Sequence, residues 1–114
     1  MTAYNLTRGR VVASRVETAD GFVSRGVGLL GRAGLPAGEA LWLVPGQSIH
    51  TFFMRFAIDA LFLDATLTVV KVMEDMRPWR VSPWVSEAHS VLELQGGALQ
   101  GAVAVGDRLE MRTA

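Results

Sequence analysis

Cysteine is absent from the 114 residues, which removes disulfide staples, thiol catalysis and thiolate-bound zinc from consideration. Long apolar runs are absent too. Nowhere do eighteen apolar residues follow one another, and the opening Met1-Thr2-Ala3-Tyr4-Asn5-Leu6-Thr7-Arg8-Gly9-Arg10 lacks the apolar stretch of a signal peptide. A soluble, cytoplasmic protein is the expectation. Neither sign of charge is in excess: eleven Lys and Arg balance eleven Asp and Glu, leaving no global field for a phosphate backbone or an anionic bilayer. Nucleic acid and membrane are therefore not expected as partners. Lysine itself is scarce, with Lys71 alone beside ten arginines, and the planar fork of Arg suits fixed carboxylate pairs better than Lys does.

No nucleophile elbow, glycine-rich phosphate loop or spaced metal-ligand cluster appears. His50 and His89 are the two histidines, and no His-x-His pair accompanies them. They could complete a facial triad with Asp59 or Asp64 only if the fold brought distant positions together, so no metal and no other cofactor is expected.

What the chain does have is a hydrophobic content of 50%, enough for one domain over residues 1–114 to bury a core. Twelve glycines and four prolines interrupt apolar runs of four to eight residues, the punctuation of a β protein. The fold class expected is mainly β, a compact sandwich or partly closed barrel with one short helix near residues 19–30. Strands are expected at Arg10 to Val16, Ala40 to Val44, Ile49 to Phe53, Ala60 to Leu63, Leu67 to Glu74, Ser90 to Leu94 and Arg108 to Arg112. Asp64-Ala65-Thr66 reads as the turn of a hairpin and Gly106-Asp107 as another turn. For the helix, Thr18 or Asp20 can cap, Phe22, Leu29 and Leu30 share a face, and Gly31 stands at the left-handed end.

Chemistry concentrates between Ser48 and Asp64, where isolated polar groups interrupt an apolar segment and must find partners. Period two places Asp59 on the face of Leu61 and Leu63. Backbone N–H groups, Arg55 or His50 could hold it as a charged carboxylate, either as a structural group that fixes the bend or as a base or ligand anchor. His50 beside Thr51 offers a proton-transfer group next to a hydroxyl, without a third residue to orient the imidazole. His89 and Glu93 share a strand face but stand roughly 13 Å apart and make no dyad. Met76 to Val85 carries two prolines with Trp79 and Trp84, an exposed semi-rigid loop able to stack on sugars, bases or Pro-rich peptides, or to fold back as a cover.

The expected function is that of a small binding or accessory module for an unknown small polar ligand or protein. Its candidate ligand-binding residues are His50, Thr51, Arg55 and Asp59, roofed by Trp79 and Trp84, and no catalytic residue is assigned. The alternatives are a small hydrolase using His50 and Asp59, with or without a metal, and a protein-interaction domain using the Trp79 to Trp84 loop.

Several fragments in order carry a family resemblance: Arg25-Gly26-Val27-Gly28-Leu29-Leu30-Gly31-Arg32, then Ser48-Ile49-His50-Thr51 with Met54-Arg55-Phe56 and Ile58-Asp59-Ala60-Leu61-Phe62-Leu63-Asp64, then Val91-Leu92-Glu93-Leu94-Gln95-Gly96-Gly97 and Gly106-Asp107. Together they resemble the domain of unknown function family 192, an uncharacterised bacterial and archaeal group. The resemblance implies a compact, mainly β, jelly-roll-like fold and brings no reaction, cofactor or partner. The chain is similar to the leaderless branch of that family. It departs from the pattern at Leu30, where Met is common, and at Ala57, where Pro is frequent; both are packing changes.

A carboxylate inside Phe56 to Leu63 must be desolvated and paired, whereas Asp64 sits at a turn. Asp59→Ala is therefore expected to cost about 2–4 kcal/mol, and Asp64→Ala about 1 kcal/mol or less. Denaturant melts of both variants at neutral pH check this; an Asp59→Ala variant as stable as the parent would mean that the carboxylate is exposed and unpaired.

Overall fold

Short apolar stretches separated by turn residues give eight strands: β1 (Thr2–Asn5), β2 (Arg10–Ala13), β3 (Arg15–Ala19), β4 (Glu39–Leu43), β5 (Ile58–Leu63), β6 (Val69–Met76), β7 (Ser90–Gln95) and β8 (Leu109–Arg112). This computed structural model describes residues 1–19, 34–52 and 54–113. Two sheets result, one of three strands in the order β2-β1-β8 and one of five in the order β3-β4-β7-β5-β6. Pairing is antiparallel except between β3 and β4, which run parallel. The mainly β expectation is met by two packed sheets, and they do not close into a barrel.

The five-stranded sheet is covered on both faces. From β5, Leu61 and Leu63 join Leu92, Leu94, Val69, Ala3, Ala13 and Leu109 in a core shared with the three-stranded sheet. Ile58, Ala60 and Phe62 point the other way, into a second core with Leu35, Leu41, Ile49, Met54, Met76 and Val91. All six β5 residues are buried, which is why the segment carries apolar side chains at five of six positions instead of alternating. The β5–β6 hairpin is closed as expected at Asp64, whose Oδ1 accepts the N–H of Thr66 (2.9 Å) and of Thr68 (2.9 Å) and the Thr66 hydroxyl (2.8 Å). Those bonds, that from Thr68 first, hold its carboxyl below the usual range.

Two expectations change. Arg10 to Val16 is not one strand: the chain leaves the three-stranded sheet at Ser14 and enters the five-stranded one at Arg15, with the Ser14 hydroxyl donating to the carbonyl of Gly38 (3.3 Å). The segment beginning at Ile49 forms only an isolated bridge, His50 with Val81, because its partner carries Pro78 and Pro83, which cannot donate to a ladder. The expected helix near residues 19–30 lies outside the described residues, except that Thr18 and Ala19 belong to β3 and pair with Trp42 and Leu43 of β4. Thr2–Asn5, unassigned from sequence, becomes the central strand of its sheet.

One buried carboxylate locks the smaller sheet. Asp107 Oδ2 accepts the side-chain amide of Asn5 (2.9 Å), the Arg8 guanidinium (2.7 Å) and the N–H of Ala104 (3.0 Å), joining the end of β1 to the turn before β8. Burial pushes its carboxyl up, but the hydrogen bonds from Asn5, Ala104 and Arg8 and the charge of Arg8 outweigh that and hold it below its ordinary 3.8. A lowered folded value gives stability that is present at pH above the ordinary value and lost as pH falls through the folded one. Asp107→Ala is expected to lose about 2–4 kcal/mol at neutral pH, because Asn5 and Ala104 lose their acceptor. The gap to the parent should shrink in strongly acidic buffer; melts of both proteins across acidic pH read it.

Candidate functional site

Asp59 is completely buried, on the face of Leu61 and Leu63 as period two requires. Its Oδ1 accepts the N–H of Asp75 (2.8 Å) and of Gly97 (2.9 Å), and its Oδ2 that of Leu99 (2.9 Å). Pairing between β5 and β6 skips at this point, Ile58 opposing Met76 and Ala60 opposing Met73, so Glu74 and Asp75 together face Asp59 in a bulge. The carboxylate fills that gap and ties β6 and the turn after β7 to β5. It plays the structural part among the two roles open to it from sequence.

His50 and Thr51 lie elsewhere. They follow Ile49 and precede Met54, both of which pack in the second core, beneath the opposite face of the sheet from Asp59. Thr51 is fully buried. Its hydroxyl donates to the carbonyl of Arg77 (2.6 Å) and accepts the N–H of Arg80 (2.9 Å), while its own N–H donates to the carbonyl of Arg80 (2.9 Å). The N–H of Trp79 in turn donates to the carbonyl of Thr51 (2.9 Å). A small buried hydroxyl thus fastens the proline-tryptophan loop to residues 50–52.

The fastening builds an aromatic ledge. The His50 and Phe52 rings are 5.2 Å apart at 34°, and Phe52 and Trp79 are 5.9 Å apart at 33°, within the range of favourable ring pairs. His50 Nδ1 accepts the N–H of Phe52 (3.2 Å), which fixes the imidazole beside the phenyl ring. Trp79 is 56% exposed and holds a left-handed backbone with φ of 64°, a conformation that costs a bulky residue of order 1 kcal/mol or more. Arg55 is exposed. Trp84, 69% exposed, borders a separate shallow groove with Gln47 and His89. The six candidates therefore divide: His50, Thr51 and Trp79 come together, Asp59 is committed beneath the other face, and neither tryptophan roofs a pocket containing it. Phe52 is the member that sequence reading missed, although its period-two relation to His50 was legible.

A second missed residue is Glu93. It pairs with Leu41 of β4 and Ala60 of β5, so it projects with them into the second core and is 5% exposed. No described residue gives its carboxylate a hydrogen bond. Burial pushes it up to about 7. A charged residue inside Val91-Leu92-Glu93-Leu94 was the available signal, but only the covering of that face makes it significant.

Among the described residues no group of three His, Asp or Glu is placed to hold a metal ion, and no helix is long and apolar enough to cross a membrane. Residues 3–111 match the family model DUF192, described as an uncharacterised ACR, in agreement with the ordered fragments of the sequence. A UPF0127 protein of Pyrococcus furiosus is 34% identical over 112 residues, covering 93% of this chain and 94% of its own length. A solved structure from Novosphingobium aromaticivorans, a protein of unknown function, matches with a TM-score of 0.82 and 21% identity over 96% of this chain and 82% of its own. Another, from Sinorhizobium meliloti, matches with a TM-score of 0.81 and 24% identity over 96% and 89%. At these identities the two structures show a shared fold.

The buried Glu93 sets a pH dependence. Between the ordinary value of 4.5 and the folded value of about 7, the folded protein keeps a proton that the unfolded chain has released. Stability is then full below the ordinary value and falls as pH rises through the folded one, by a few kcal/mol at most. Glu93→Gln cannot ionise and should lose this slope, so melts of the parent and the variant at successive pH values should diverge from mildly acidic to neutral; parallel curves would contradict the assignment.

Proposed function

The chain belongs to the uncharacterised family DUF192, and we propose that it works as a small binding module which takes an anionic ligand with a flat or apolar face on the ledge of His50, Phe52 and Trp79. The observation that carries this reading is the ledge itself: three rings in contact, a tryptophan displayed at the surface on a left-handed backbone, and a buried threonine that holds the arrangement. Such preorganisation lowers the ordering cost of binding.

Charge around the ledge supports the sign of the ligand. Residues 45–58 and 76–86, which supply the ledge and its loop, contain Arg55, Arg77 and Arg80 but no Asp or Glu, in a chain whose formal net charge is zero. All three arginines are exposed. A guanidinium next to stacked rings suits a carboxylate, sulfate or phosphate borne close to a ring. A hydrolase built on His50 and Asp59 finds less support, since Asp59 is occupied by three backbone amides beneath the opposite face of the sheet.

2-Naphthoate is a suitable probe, and amide NMR of the full chain the readout. Saturable shifts are expected at Thr51, Phe52, Trp79 and Arg80, weakened about tenfold or more in Trp79→Ala and little changed in Trp84→Ala. Shifts that avoid the ledge, or affinity unaltered by Trp79→Ala, would refute the proposal.

A further inference from the structure

The ledge has an open edge. His50 and Val81 form an isolated antiparallel bridge, and the bonds on either side of it run from the N–H of Thr51 to the carbonyl of Arg80 (2.9 Å) and from the N–H of Ser82 to the carbonyl of Ile49 (2.8 Å). Because those bonds belong to the flanking residues, His50 and Val81 are a pair that exchanges none of its own, and the N–H and C=O of Val81 point outward, away from residues 49–51. Among the described residues no hydrogen bond reaches either group, and Val81 is 60% exposed. Side chains of such a pair stand on one face, so Val81 lies beside the His50 ring and carries the ledge out to this edge.

The edge is held in shape from within. Ser82 Oγ accepts the N–H of Ile49 (2.9 Å) and donates to the carbonyl of Pro83 (3.0 Å), and the N–H of Arg80 is spent on the Thr51 hydroxyl (2.9 Å). Pro78 and Pro83 cannot donate to a ladder. Pairing at this edge is therefore confined to a short segment centred on Val81, which also blunts it against extended self-pairing. An open groove of about 600 Å³ elsewhere, with Phe56, Ala57, Asp75 and Gly96 in its lining, is built the other way. Gly96 stands so close to Ala57 that a Cβ there would lie 2.9 Å from the Ala57 carbonyl oxygen, and the wall spends its amides internally, those of Asp75 and Gly97 on Asp59 and that of Gly96 on Ala57. The edge at Val81 turns its amide outward.

We propose that this edge takes a short acidic peptide segment in extended form, one residue of which pairs with Val81 and lays an aromatic side chain on the ledge. This partner rests on the ledge reading above, which supplies the rings and the sign of the charge. A residue directly opposite Val81 donates its N–H to the Val81 carbonyl and accepts the Val81 N–H, and its side chain falls on the face where Val81 and His50 stand. Charge selects an acidic segment: Arg77 and Arg80 lie on the loop, Arg55 follows the facing residues, and all three are exposed, with no Asp or Glu in residues 45–58 or 76–86. Main-chain pairing supplies affinity in such strand addition, while the flanking side chains supply choice. A small aromatic acid uses the ledge alone; a peptide uses the edge as well.

Blocked tripeptides, acetylated at one end and amidated at the other, separate the contributions: Glu-Trp-Glu, Lys-Trp-Lys, and Glu-Trp-Glu with the amide nitrogen of its tryptophan methylated. Amide NMR of the full chain should show saturable shifts with the acidic peptide at Thr51, Phe52, Trp79 and Val81, the Val81 amide proton moving downfield as it gains an acceptor. The lysine peptide and the methylated peptide should each bind at least about tenfold more weakly. Val81→Pro lacks the outward N–H and should weaken the acidic peptide several-fold while the rest of its spectrum keeps the dispersion of a folded chain; should that variant fail to fold, the methylated peptide on the parent decides. Titration of the parent with 2-naphthoate separates the two readings. Saturable naphthoate shifts without binding of the acidic peptide would overturn the peptide and leave the ledge standing, and loss of both would remove both. A lysine or methylated peptide that binds as tightly as the acidic one, a Val81 amide that does not move, or parent-like affinity in folded Val81→Pro would also overturn the proposal.

Discussion

The five-stranded sheet is buried on both faces, and a carboxylate on its innermost strand pair has no water to turn to. Asp59 meets that constraint with three backbone amides, at 2.8, 2.9 and 2.9 Å. Because those amides come from the β6 bulge and the turn after β7, satisfying one side chain also positions two segments that are distant in sequence. The groove wall at Asp75 and Gly96, and the packing of Leu99 in the first core, follow from it. A buried acceptor satisfied by backbone donors is charge-assisted and directional, so it specifies geometry as well as adding stability.

Glu93 stands one register step away on the neighbouring strand and shows the converse. Asp59 faces Leu94 and Glu93 faces Ala60, yet the two carboxylates point to opposite sides of the same sheet. On one side, turns deliver N–H groups. On the other, the cross-strand neighbours are Leu41 and Ala60, and burial raises the carboxyl to about 7. The two carboxylates thus differ here through what packs on each face, not through the strands that carry them.

The ledge and the groove also contrast in how they are held. Thr51 is buried, and its hydroxyl and backbone bind both ends of the turn 77–80, so a surface of rings is presented without a regular strand beneath it. The groove relies on a bulge and a close glycine contact. In both, irregular backbone supplies the concave or exposed surface and the sheet supplies rigidity, the usual division between loops and the elements that support them.

Period and composition alone determined the mainly β class, the β5–β6 hairpin, the turn at Gly106-Asp107 and the side of the strand on which Asp59 lies, because each depends on local alternation and turn chemistry. The ordered fragments also identified the family. The break at Ser14, the single bridge formed by the segment that begins at Ile49, the meeting of Phe52 with Trp79 and the burial of Glu93 were decided by tertiary structure. Each depends on which partner a segment meets: proline-containing residues 77–85 for the ledge, and the covering of the sheet's second face for Glu93. Alternation tells to which side a residue points, but whether that side holds water, backbone donors or hydrocarbon is set by segments dozens of positions away.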